Sequence, residues 1–220
     1  MDAPNHHHAE LDRERTWSDD TTVASHQSLA LRAEFVHGAG PGDINWTIAA
    51  YESPVGDRLW HATATSTTPV EMVRTLLDTL ASESAWGAGL GTHVSERTIS
   101  ETTRPLADEG WKQTVDGRWI HWTPRNGDAA GVQFDAFAAQ APGSPLPTWT
   151  VWGGNTADRP TWALRFSPQT PAAVLQDLTF EMVHGQSRAA VSQARRPSHL
   201  TASTRNLPPA PAAPAPRTRR

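Results

Sequence analysis

Two stretches of this chain repeat one another, and that repeat restricts the possible folds more than any other feature. Asn45-Trp46-Thr47-Ile48 matches Thr148-Trp149-Thr150-Val151 at an offset of 103 residues, and Trp60 through Leu80 matches Trp162 through Met182 at an offset of 102. Within the second match Trp60 meets Trp162, Thr68-Pro69 meets Thr170-Pro171, and Val73, Leu76 and Leu80 meet Leu175, Leu178 and Met182. Upstream, Leu31 through Phe35 aligns with Val132 through Ala136 at an offset of 101. The same pattern written twice dictates the same local structure twice, so the expectation is two related units.

Each copy reads as three strands and a helix. Leu31, Ala33 and Phe35 alternate with Arg32 and Glu34, and Trp162, Leu164 and Phe166 alternate with Thr161, Ala163 and Arg165, the period of a sheet buried on one face. Thr68 and Thr170 stand where N-cap hydroxyls are expected, Pro69 and Pro171 where the first helical residue is expected, and Glu71 completes a capping box. The fold class is therefore α+β: two related antiparallel β-sheet units, each with a C-terminal helix. The second copy carries an extra front end. Ser95–Glu109 has helical spacing and stops at Gly110, and a hairpin follows, with strands 111–115 and 118–122 around Asp116-Gly117.

The ends differ from the middle. Residues 1–28 read as a mostly disordered polar arm, 29–83 as a first, incomplete unit without the front end, 84–94 as a linker anchored by Trp86, and 95–183 as the second unit. Residues 184–220 read as a disordered Pro/Arg-rich tail, whose proline run at 208–216 can sustain neither helix nor sheet. Charge divides at the same place: 12 basic side chains face 23 acids up to residue 183, and the tail has seven arginines and no acid. The chain has no cysteine, which excludes disulfides, thiolate catalysis and Cys-ligated metals. With neither a secretory signal at the start nor an apolar run of membrane length, a cytoplasmic location and no membrane contact are expected.

The order Gly110-Trp111, Asp116-Gly117, Phe134-Asp135, Trp149-Thr150, Pro160-Thr161-Trp162 and Thr170-Pro171 ahead of Val174-Leu175 is similar to the actinobacterial Domain of Unknown Function 317 family. The resemblance covers about residues 86–183, with 29–82 as a partial second unit. It implies a protein often built from two such units, and it supplies no activity, cofactor or catalytic residue.

No constellation for catalysis, a cofactor or a metal emerges from the residues. His6-His7-His8 lies on the polar arm without rigid geometry, and His61 and His121 have no carboxylate at triad or metal spacing. Trp152-Gly153-Gly154-Asn155 is followed by Pro160 and a strand instead of the helix that a phosphate cradle needs. Among the 10 tryptophans, the repeated Trp46, Trp60, Trp149 and Trp162 read as core. Trp119, Trp122 and Trp152 are the candidate ligand or partner surface, since alternation turns them away from a neighbouring tryptophan. Arg188, Arg195, Arg196, Arg217, Arg219 and Arg220 are the candidate polyanion contacts. The expectation is a non-catalytic binding or adaptor protein with a protein partner; the alternative is a nucleic-acid-associated accessory protein using the tail. An enzyme drawing on His121, Asp135 and Arg165 at the junction of the units is a third reading.

Overall fold

The computed structural model describes residues 12–16, 20–82, 94–127, 129–141 and 146–195. Ten strands form one antiparallel sheet: β1 (Asp12–Thr16), β2 (Thr21–Ser25), β3 (Leu31–Val36), β4 (Ile44–Tyr51), β5 (Arg58–Thr65), β6 (Lys112–Asp116), β7 (Trp119–Thr123), β8 (Ala130–Asp135), β9 (Trp149–Gly153) and β10 (Trp162–Phe166). Their spatial order is β1-β2-β3-β4-β5-β10-β9-β8-β7-β6. Each half is a meander of neighbours, and the halves meet where β5 pairs with β10. The described helices are α1 (Val70–Ala81), α2 (Glu96–Asp108) and α3 (Ala172–Arg195).

The repeat predicted from the sequence is present as a two-fold relation in the sheet. Trp46 pairs with Ala64 and Ile48 with Ala62 in the first half, while Trp149 pairs with Phe166 and Val151 with Leu164 in the second, as offsets of 103 and 102 require. The upstream match needs correction. Phe35 faces Trp46 and Phe134 faces Trp149, so β3 and β8 correspond at an offset of 99, not 101. A two-residue slip leaves every side chain on its own face, so alternation alone could not detect it. The corrected pairs also pack alike. Ring centroids of Phe35 and Trp46 lie 4.8 Å apart at 48°, and those of Phe134 and Trp149 lie 4.6 Å apart at 51°.

The helices lie against one face. Ile48, Ala50, Trp60 and Ala62 from the first half and Val132, Trp149, Val151, Leu164 and Phe166 from the second are buried with Leu76, Leu80, Leu106, Leu175 and Leu178 in one apolar cluster. Burying such side chains contributes about 1.5–3 kcal/mol each and is the main term holding the sheet flat against its helices. α1 and α3 also meet across the pseudo-dyad, where the Thr79 hydroxyl donates to Asp177 Oδ2 at 2.8 Å. α2 lies along α3, and the Thr179 hydroxyl donates to the Thr102 carbonyl oxygen at 2.8 Å.

Several boundaries differ from the sequence expectation for physical reasons. β1 and β2 form a hairpin inside the stretch expected to be disordered, so the first half does have a counterpart to β6–β7; an equivalent of α2 is not among the described residues. α3 continues through Arg195 because no proline interrupts it before Pro197, so the segment 184–195 is helical. Pro69 is itself the N-cap of α1 and no side chain caps that helix, so the expected Thr68–Glu71 box does not form. The Thr68 hydroxyl points instead to the Ala163 carbonyl, and that of Thr170 to Ser167 at 2.9 Å. The second hairpin turns at Gly117-Arg118, one residue later than expected, because Asp116 pairs with Trp119 and Gly117 supplies the positive φ of 56° at the first turn position. Gly110 ends α2 as expected: its φ is 70°, and Trp111 N and Gly110 N donate to the Leu106 and Ala107 carbonyls at 2.9 Å each.

Candidate functional site: the uncovered face of the sheet

The face opposite the helices has no layer of described secondary structure on it. One row of paired residues crosses it strand by strand: Val23, Glu34, Thr47, Thr63, Arg165, Thr150, Gln133, His121 and Thr114. These positions alternate with the helix-facing set along the strands and all but Val23 are polar, although Thr150, on the wholly buried β9, is only 9% exposed. From β2 to β6 the charged strand residues on this face are Arg32, Glu34, Arg58, Arg165, Asp135, Lys112 and Asp116. Acids are plentiful on the helical side instead, where Glu71, Glu96, Glu101, Asp108 and Glu181 lie. The body's negative charge therefore does not blanket the open face.

Arg165 occupies the centre of the row. It is half-buried and makes no hydrogen bond or ion pair with any described residue. Hydroxyl-bearing residues surround it on the lattice of the sheet: Thr63 and Thr150 directly opposite, and Thr65 and Ser167 toward the ends of the seam. The last two have assigned tasks. Thr65 Oγ1 accepts from Ala163 N at 3.0 Å and Ser167 Oγ accepts from His61 N at 2.9 Å, symmetric bonds that prolong the three-residue β5–β10 ladder at both ends. His61, beside this seam, has its pKa lowered from 6.5 by burial and then by the nearby Arg58 charge.

The sequence-derived candidates separate. Trp122 is 3% exposed, on the helical side, stacked on Trp149 with centroids 6.3 Å apart; it is core and not surface, because it belongs to the apolar cluster that also holds Leu106 of α2. Trp152 does point to the open side but is only 5% exposed, its indole lying on Gly131, where a Cβ would overlap the ring. It fills the space a missing side chain leaves and presents no free ring face. Trp119 alone of the three is half-exposed, with the Arg118 guanidinium 4.4 Å from its ring centre. Arg188 and Arg195 fall on the distal part of α3, while Arg196, Arg217, Arg219 and Arg220, like His6-His7-His8 and Trp86, lie outside the described residues.

His121, Asp135 and Arg165 do not converge. Two strands stand between Arg165 and His121, and Asp135 is already engaged: Arg118 lies 3.0 Å from its Oδ2, while its Oδ1 accepts from Phe137 N and Ala138 N at 3.0 Å each, holding the short 3-10 turn at Ala138–Gln140. Among the described residues no three His, Asp or Glu side chains gather as a metal site would require.

The model of the family described as SPDY, domain of unknown function (DUF317), matches residues 27–86 and 127–187. This chain belongs to that family. Its two matched stretches correspond to β3-β4-β5-α1 and β8-β9-β10-α3, so in this protein the repeating DUF317 unit is a three-stranded meander with one helix. Both outer hairpins and α2 lie outside the matched residues. No curated protein and no solved structure matches the chain. No helix among the described residues is long and apolar enough to cross a membrane.

Proposed function

We propose that this DUF317 protein is a non-catalytic binding or adaptor scaffold that receives a protein partner on the open face of its ten-stranded sheet. The observation that carries this reading is the one-sided layering: helices cover one face, and the other is a broad, polar, gently charged surface on which ionisable groups stand apart. Small-molecule sites are concave and mostly apolar, whereas a flat polar face with a central arginine resembles a protein interface. The test is a photo-crosslinking residue placed at Gln133 on the open face and, separately, at Arg104 on α2. A discrete adduct from Gln133 that excess unlabelled protein competes away supports the reading. Adducts from Arg104 alone, or none from either position, overturn it.

A second reading rests on the tail, where seven arginines occur without an acid: a nucleic-acid-associated accessory role. It requires that the full chain bind labelled duplex or single strand in a steeply salt-dependent way and that a chain ending at Val183 not do so.

A further inference from the structure

Resting on the open-face reading, we propose that Arg165 is the receptor for a single anionic group, the carboxylate of an acidic side chain on the protein partner. Arg165 is a half-buried guanidinium at the centre of a ten-stranded face, with no partner among the described residues. The carboxylates on its face are held away from it. Glu34 is three strands distant along the row, roughly 14 Å at the usual strand spacing, and Asp135 is engaged by Arg118 and two backbone amides. Its immediate neighbours Thr63 and Thr150 offer hydroxyls, which can donate to an anion and cannot neutralise the guanidinium themselves. A guanidinium fork fits a carboxylate in bidentate fashion.

Charge decides the class of occupant. Lys112 lies on the edge strand β6, Arg32 is two residues from Glu34 on β3, and Arg58 stands at the start of β5, five residues from Thr63, so Arg165 is the single cation at the centre of the face. One cation suits one acidic side chain; a nucleic-acid backbone needs several. Arginine is also the charged residue favoured at the centre of protein interfaces.

The test is a titration of the full chain, labelled at arginine Nε and backbone nitrogen, with hexaglutamate, with hexaglutamine and with tripolyphosphate. The resonances read are those of Arg165 Nε–H and the amides of Thr63 and Thr150, so binding by tail arginines does not interfere. The expected result is a saturable shift with hexaglutamate, none with hexaglutamine, and binding weakened about tenfold in Arg165→Gln. Arg165→Lys, which keeps the charge and loses the fork, should fall between the two and serves if the glutamine variant does not fold. No shift with hexaglutamate, equal shifts in Arg165→Gln, or a response to tripolyphosphate alone overturns the proposal. A competed Gln133 adduct without an Arg165 response leaves the open-face reading standing and removes only the carboxylate receptor; an Arg165 response without an adduct leaves a carboxylate-binding arginine but overturns the protein partner, and with it both readings.

Discussion

Thr63 and Arg165 occupy the same place in the two repeats and stand directly opposite one another across the β5–β10 seam. A pair of equivalent residues can face each other only on a two-fold axis, so the pseudo-dyad of the molecule passes between them. Around it Ala62 pairs with Phe166 and Ala64 with Leu164, each the equivalent of the other's partner. The axis carries a hydroxyl on one side and a guanidinium on the other. Duplication thus built a symmetric scaffold, and divergence placed its one central charge.

The seam is short and relies on side chains at its ends. Thr65→Val and Ser167→Ala each remove the acceptor of a backbone amide from the opposite half, at Ala163 and His61 respectively. Each should cost about 1–2 kcal/mol of stability, read as a lowered urea midpoint with an unchanged slope.

Gly131 and Gly153 sit beneath the rings of Trp152 and Trp162, their direct cross-strand partners, on opposite faces of the sheet. Both indoles would overlap an added Cβ, so Gly131→Ala and Gly153→Ala should each destabilise by about 1–3 kcal/mol. Thermal unfolding of either variant checks this, and an unchanged midpoint would contradict the close packing.

Trp122 and Trp119 share a strand and differ in consequence. Trp122→Ala empties a core position and should cost about 3–5 kcal/mol, whereas Trp119→Ala, half-exposed beneath Arg118, should change stability by under about 1 kcal/mol. Urea denaturation of the two variants side by side separates core from surface.

Among the described residues no helix of the first half corresponds to α2, and Ala24 stands where the register of the second half places Trp122. A shallow apolar cavity lined by Ala24, Leu31, Ala33, Ile48, Leu77, Leu80 and Ala81 is the result. Ala24→Val should partly fill it and raise stability by about 0.5–1 kcal/mol in the same denaturation experiment.

His61 gives a pH dependence whose sign follows from its burial. Its folded pKa lies below the ordinary 6.5, so the unfolded chain takes up the proton more readily. The His61 contribution is complete above pH 6.5 and is lost as pH falls through the lowered folded value. His61→Gln should flatten the decline in urea midpoint between neutral and mildly acidic buffer; an identical decline in both proteins would show that other groups cause it.

Local signals in the sequence determined a good deal. The recurrence of Trp46 and Trp149 and of Trp60 and Trp162 established two units, period-two alternation chose the buried face, and Gly110 set the end of α2. These are properties of a few neighbouring residues, so one chain suffices to read them. Three things were decided only by tertiary structure. The β3–β8 correspondence slipped by two because alternation is blind to even shifts; β2, polar and short, gained strand structure by pairing onto β3, and β1 by pairing onto β2; and Trp122 became core by joining the apolar cluster of the helical face, stacked on Trp149 of β9. The candidate site belongs to the same class. Nothing near Arg165 in the sequence marks it, since its position on the axis arises from the pairing of β5 with β10, whose facing residues Thr63 and Arg165 are 102 positions apart, and long-range pairing is set by the sum of burial over the whole sheet.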